Sequence, residues 1–337
     1  MPSNRRNVLA STVDIDPPLE AGVLIRNSDD VFRYDTDFNL VRTYTGLSCG
    51  VENTGSKPSV IQSSYDQSFF ICNGADGAVV IDTLTGEELW FNAAYGNTGG
   101  CAISRSDDFI YAANNSSLIE VDTSDWTTST TVSHGCSIYA GVAIGSVAAG
   151  EYVGVSGYVS KTRTFTRDPL TVRSAVFAPS DIYIPNEMIW SYNTGDIYQV
   201  ATNGTSTSTP YNMKKVAASG TTLSNSATNA TTAQYYKIAR SEDADVIFAL
   251  RKDVSTRSGA IERHNNGLTS FTSSSDASFP NFTDYARTMS INDDGSEGFF
   301  VGQKDVYTFN PSTLAYIAQP VTVAGTDTYC YSSCYIP

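Results

Sequence analysis

The sequence predicts an all-β fold: a seven-bladed β-propeller of four-stranded antiparallel blades, its ring closed by a C-terminal strand that joins the N-terminal blade. Three observations predict it. Residues 77–90 spell out one hairpin, the same layout returns six more times, and the first blade lacks a strand that the far end of the chain can supply. In GAVVIDTLTGEELW, Ala78, Val79, Val80 and Ile81 read as a strand, Asp82-Thr83-Leu84-Thr85-Gly86 as a turn, and Leu89 and Trp90 as the start of the return strand. Asp and Thr side chains cap the turn backbone, and Gly86 supplies the positive φ that a tight hairpin needs. Phe69-Phe70-Ile71-Cys72 forms a further strand just upstream. One such hairpin cannot bury its apolar face alone, so it implies neighbours of the same kind.

The neighbours are present. The first turn residues of the seven copies read as Asp35, Asp82, Asp122, Thr166, Ala201, His264 and Asn310, at spacings of 47, 40, 44, 35, 63 and 46 residues. Seven copies of a three- or four-strand unit at this period are the signature of a propeller. Residues 1–20 are expected to form an arm outside the ring, and residues 21–337 the propeller. The first blade offers three strands, at Gly22 to Asn27 and between Val31 and Tyr44. Its missing strand reads as Thr328-Tyr329-Cys330-Tyr331-Ser332-Ser333-Cys334-Tyr335, which matches the inner strands elsewhere, such as Cys101-Ala102-Ile103-Ser104. Pairing the two ends leaves no open edge between blades. Blades two to seven are placed at residues 57–92, 100–133, 136–175, 177–212, 235–273 and 287–320, the fifth being the shortest. No segment longer than about ten residues keeps a helical period.

The turn of residues 77–90 carries an Asp-x-x-Thr-Gly-x-x-x-Trp core at Asp82, Thr85, Gly86 and Trp90, and in this it resembles the PQQ-type repeat. Ile291-Asn292-Asp293-Asp294-Gly295 resembles the first turn of a YVTN repeat. The resemblance covers almost the whole chain and concerns architecture. Only one repeat carries the Trp, and no WD dipeptide closes a repeat. PQQ enzymes have eight blades and a vicinal cysteine pair; this chain has neither, so the resemblance implies no quinone cofactor.

The 337 residues carry 35 acidic and 21 basic side chains, a formal charge of −14. That excess argues against binding nucleic-acid phosphates, keeps the chain soluble and is also a habit of halophilic proteins. No run is long enough to span a membrane. Arg5-Arg6 near the N-terminus lack the apolar stretch of an export signal, because Asp14 and Asp16 interrupt it before Pro17-Pro18; the segment reads as a partner-docking arm, with synthesis in the cytoplasm. Cys49, Cys72, Cys101, Cys136, Cys330 and Cys334 contain no CxxC pair and read as small buried residues, with disulfides or a metal as the competing readings.

Catalytic constellations are not apparent. His134 and His264 fall in a loop and a hairpin turn. Asp29-Asp30, Asp107-Asp108 and Asp293-Asp294 fall at expected turns, where capping is the simpler role than calcium or acid–base work. No nucleophile elbow, HExxH helix or phosphate loop occurs. Sequons stand at Asn114, Asn115, Asn203, Asn229 and Asn281. No cofactor or metal is expected, and no enzymatic activity.

Three insertions, at residues 205–234, 251–259 and 271–285, are expected to project from one face over blades five to seven. They carry Tyr211, Lys214, Lys215, Arg251, Lys252, Arg257, Phe279, Phe282 and Tyr285, a cationic and aromatic set in an otherwise acidic chain. Rings give contact area at low entropic cost and cations pair with acidic groups, so these residues are the expected binding face. The composition resembles virion proteins of tailed phages and archaeal viruses. The expected function is a non-enzymatic virion protein, either capsid decoration or a tail and host-recognition component. Its partners would be other virion proteins or a host glycan, within a larger assembly and without nucleic acid or membrane insertion. The alternatives are a secreted or cell-surface carbohydrate-binding propeller and a lactonase- or glycosidase-like propeller hydrolase.

Overall fold

Seven separate four-stranded antiparallel sheets form, one for each repeat. They are seen in a computed structural model that describes residues 20–51, 60–96, 100–147, 150–158, 161–167, 169–174, 184–191, 195–202, 213–217, 222–225, 233–241, 246–253, 259–274, 286–292, 294–302, 304–317, 321–326, 330 and 332–336. The arm at residues 1–20 therefore lies outside the described residues except for Glu20. In six of the sheets the four strands follow in sequence order, and the first strand of each blade touches the first strands of its two neighbours, so these seven line the centre. The chain is a seven-bladed β-propeller.

Blade one is assembled from both ends of the chain. Its second to fourth strands are Gly22–Asn27, Asp30–Asp35 and Leu40–Tyr44, and its inner strand is Ser332–Ile336. The inner strand runs antiparallel to Gly22–Asn27 in the register Val23↔Tyr335 and Arg26↔Ser332. The expected closure is thus present, with pairing over residues 332–336.

The core is seven inter-blade layers rather than one central mass. Alternation along each strand sends one set of side chains toward the preceding blade and the other toward the next. The described buried residues fall into seven apolar clusters, one at each junction. Trp190, at 1 % exposure, fills the junction of blades four and five with Met188 and Ile197, and Tyr152 packs on them. Full burial of such a side chain contributes about 1.5–3 kcal/mol.

In blades one, two, three and seven the turns between third and fourth strands are capped as the sequence suggests, whereas Ala201 lies within the second strand of blade five, Ile197–Thr202, and starts no such turn. Asp82 Oδ1 accepts the N–H groups of Leu84 at 2.9 Å and Thr85 at 2.7 Å, and the Gly86 N–H donates to the Asp82 carbonyl. Asp35, Asp122 and Asn310 repeat the arrangement. In blade six the turn begins at Asn265, not at His264. Asn265 Oδ1 accepts from Thr269 N–H at 2.9 Å, and His264 is the last residue of the strand Gly259–His264. The sequence register was one residue early there.

A second difference concerns the positive-φ position. Blade two uses Gly86 (φ 77), but other blades place Phe38, Trp126, Leu268 and Leu314 there, at φ 56 to 60. These side chains fold back into the inter-blade layers: Leu268 and Leu314 are 1 % and 2 % exposed. Left-handed backbone costs a non-glycine residue about 1–2 kcal/mol, whereas truncating a buried Leu costs about 2–5 kcal/mol. Burial wins. Leu314→Gly, although it relieves the backbone, is expected to lower stability by about 2 kcal/mol; an unchanged or raised urea midpoint would show that the anchor is dispensable.

Blade five is not short. Its third and fourth strands are Met213–Val216 and Thr222–Asn225, inside the stretch read from sequence as an insertion at residues 205–234. The reason is compositional. Fourth strands lie outermost and are polar, as the mostly exposed TTSTTVS of Thr127–Ser133 shows, so a Ser/Thr/Asn-rich strand reads like a loop.

Candidate functional site

Blade six departs from the repeat at its face toward blade five. Three residues before the turn, blades one to three carry Phe32, Val79 and Ile119 against the preceding blade; one residue before it they carry Tyr34, Ile81 and Val121. Counting back from Asn265, blade six puts Glu262 and His264 in these places, at 0 % and 1 % exposure. The third strand is in register with Val246–Asp253 through His264↔Ile247 and Glu262↔Ala249, so both side chains lie on the face of Ile247 and Ala249, which packs on blade five.

Two buried polar groups in an apolar layer need partners, since an isolated buried carboxylate is costly. Glu262 is the hub. Its Oε2 accepts from Tyr235 Oη at 2.8 Å and from His264 Nε2 at 3.0 Å, so Nε2 carries a hydrogen. The Arg251 guanidinium faces Oε1, with Nε at 2.7 Å but off the hydrogen-bond axis. The imidazole is stacked on Phe271 (centroids 5.3 Å apart) and meets Tyr235 edge-on. His264 Nδ1 is buried and has no hydrogen-bond partner among the described residues. The outer side of His264 and Phe271 opens into a concavity of about 230 Å³, completed by Val246, Arg263, Asn265, Ser270 and Thr272. Arg263, Ser270 and Thr272 are exposed, whereas the Asn265 carboxamide is occupied by its own turn.

Of the expected binding residues, the four that are described lie on strands rather than in projecting loops. Lys214 and Lys215 lie on the third strand of blade five and are 2 % and 9 % exposed. Lys215 pairs with Asp196 at 3.2 Å and sits over the Tyr198 ring. Arg251 and Lys252 lie on the second strand of blade six, where Lys252 pairs with Gly259, and Arg251 belongs to the Glu262 cluster. These cations belong to the strands MKKV and VIFALRKD, whose pairing with their neighbours fixes them in the sheets. Tyr211, Arg257, Phe279, Phe282 and Tyr285, together with Arg5 and Arg6, lie outside the described residues. The concavity is at the other end of blade six from Asp253 and Gly259, beside the turn between its third and fourth strands. The sequence signal that could have revealed it is the Glu-x-His pair on a strand whose repeats carry apolar residues at both positions.

His134 has a purely structural setting. Its Nδ1 accepts the Cys136 N–H at 3.0 Å, which leaves Nε2–H to donate to the Asn114 carbonyl at 2.7 Å. A second proton on Nδ1 would meet the Cys136 donor. Burial lowers the His134 pKa from 6.5, against the raising effect of the Asn114 bond. A group whose pKa is depressed on folding supports the fold fully above its unfolded pKa, and that support is lost as pH falls through the folded pKa. Wild-type protein is therefore expected to lose urea resistance from about pH 7.5 to about pH 5.5, and His134→Gln to lose less; equal losses in the two proteins would contradict this.

Among the described residues no group of three or more His, Cys, Asp or Glu is arranged to hold a metal ion. Among the described residues no helix is long and apolar enough to cross a membrane.

No family model matches the chain, and no curated protein sequence is similar to it. Solved structures share the fold. The chain is similar to the hydrazine synthase of Kuenenia stuttgartiensis, with a TM-score of 0.64 at 13% identity over 81% of this chain and 88% of that one. It is also similar to the β-propeller domain of Myceliophteria thermophila Cps50 (Swd1), with a TM-score of 0.62 at 9% identity over 82% of this chain and 89% of that one. At these identities the likeness is one of fold.

Proposed function

We propose that the chain is a non-enzymatic binding scaffold and that the concavity of blade six receives an acidic sugar of a host glycan. The observation that carries this reading is the replacement of two apolar core positions by Glu262 and His264 directly behind that concavity. A blade that departs from its own repeat at buried positions does so against stability, which points to a use. The ring supplies a fixed platform. Phe271 offers a ring for stacking, Ser270 and Thr272 offer hydroxyls, and Arg263 offers a cation to a carboxylate.

The setting we propose is the surface of a virion, as capsid decoration or in the tail and host-recognition apparatus, with a cell-surface glycan-binding propeller as the alternative. What supports it is the acidic, Tyr/Ser/Thr/Asn-rich composition and the resemblance of two turns to YVTN and PQQ-type repeats. The test has two arms. Binding is measured to glycans bearing uronic or sialic acids and to neutral ones, with Arg263→Ser and Phe271→Ala expected to weaken binding at least about tenfold while unfolding like wild type. Mass spectrometry of purified particles from the source locates the chain. Absence of binding to every acidic glycan rejects the glycan reading, and absence from particles rejects the virion setting.

A further inference from the structure

At the junction of blades one and two, the sulfurs of Cys49 and Cys72 lie 3.7 Å apart. Cys49 sits in the segment that leaves the outer strand of blade one, and Cys72 lies on the blade-two strand Phe69–Asn73. Both are fully buried among Leu24, Tyr44, Leu47 and Phe70. Into this apolar layer the second strand of blade one sends Arg26, also at 0 % exposure. Its guanidinium donates to the carbonyls of Gly50 and Asn73, the residues that directly follow the two cysteines. One cation therefore fixes the peptide units beside both thiols. The Asp76 N–H donates to the Cys49 carbonyl at 2.9 Å and holds the exit segment against blade two from the other side. The approach of the sulfurs is built into the backbone of two blades.

We propose that Cys49 and Cys72 form a reversible disulfide, by exchange with a low-molecular-weight disulfide such as oxidised glutathione, that staples the exit of blade one to blade two. A disulfide needs its sulfurs about 2.05 Å apart, so they must approach by under about 2 Å, within reach of side-chain rotation. The hydrogen bond from the Cys72 thiol draws the Cys49 pKa down, aided by Arg26 and opposed by burial. The same bond and burial push Cys72 up. Cys49 is therefore the attacking sulfur and Cys72 the resolving one. The Cys49 thiolate attacks one sulfur of the oxidant, forming a mixed disulfide and releasing one glutathione thiolate. The Cys72 sulfur then gives up its proton and attacks Cys49, releasing the second glutathione. The protein loses two hydrogens, and the two electrons reduce one glutathione disulfide to two thiols. Cys49 is reached by opening of its own short segment, which two residues later exposes Val51. Burial raises the thiols of Cys101, Cys334 and Cys136, the last two to about 12, so these are expected to stay reduced.

The experiment uses the full reduced chain, incubated folded with oxidised glutathione, then denatured and alkylated. All six cysteines are free in the structure, so a fall from six alkylated thiols to four is expected. Peptide mapping should show one bridge joining residues 49 and 72, reversed by dithiothreitol. Cys72→Ser should stop at the first step and keep one glutathione on Cys49. Six alkylated thiols after oxidation, or a bridge between other cysteines, would overturn the proposal. The wild-type measurement decides it even if that variant folds poorly, and neither result bears on the glycan reading.

Discussion

Ending the chain after Gly325 is expected to unfold the ring. The lost segment contains the inner strand Ser332–Ile336 and buries Cys330, Ser332 and Ile336. Its removal also uncovers Val23, Leu24 and Ile25, each 0 % exposed, and deprives the Ser290 hydroxyl in blade seven of the Ser333 carbonyl at 3.1 Å. Each large apolar side chain exposed costs about 1.5–3 kcal/mol, so the sum is on the order of 5 kcal/mol or more, against a total stability of about 5–15 kcal/mol for a domain. The bared edge would also present unpaired backbone groups to other chains. Thermal unfolding and size-exclusion chromatography should show loss of the cooperative transition, or aggregation. A monomeric truncation melting within about 3 °C of the full chain would reject this account of closure.

Glu262→Ala is expected to be the most damaging single substitution among the polar residues. It removes the acceptor of Tyr235 and His264 and the anion facing Arg251, whose side chain is only 12% exposed. Breaking a buried pair on one side costs about 3–5 kcal/mol, because the other charge stays buried. Replacing both members with apolar residues, Glu262→Leu with Arg251→Met, should recover much of that loss, since blades one to three fill such layers with apolar side chains. A double-mutant cycle in urea measures the coupling. A coupling below about 0.5 kcal/mol, or a Glu262→Ala loss under about 1 kcal/mol, would mean that the four residues are neighbours and not a cooperating unit.

The blades were legible in the sequence because their signals are local. Period-two apolar runs and Asp-led turns recur whether or not their partners are known, and the strand deficit of blade one could be matched to residues 328–335 by pattern alone. Blade five was misjudged because an outer strand buries little and its residues, TLSN at Thr222–Asn225, look like linker. The αL positions were hidden for a related reason. A turn with Gly86 announces itself, whereas Leu268 and Leu314 look like ordinary core residues and reveal their backbone only in three dimensions. The charged residues were the hardest. Lys214, Lys215 and Arg251 are cations in an acidic chain, and composition alone places cations outside; only the register shows that they alternate inward. Glu262 and His264 were readable as an anomaly once blade six was aligned to its siblings, but the one-residue slip at Asn265 concealed it.

The closure of blade one also has a timetable. The strand Gly22–Asn27 leaves the ribosome long before its inner partner exists: Asn27 and Cys330, whose side chains meet, are separated by 303 residues. At about 5–20 residues per second, that interval is roughly 15–60 s. Throughout it the nascent chain carries an apolar strand with one bare edge, while blades two to seven are completed behind it. The pairing with the longest loop to close thus comes last, and the opportunity for two nascent chains on one message to pair with each other is greatest just before it.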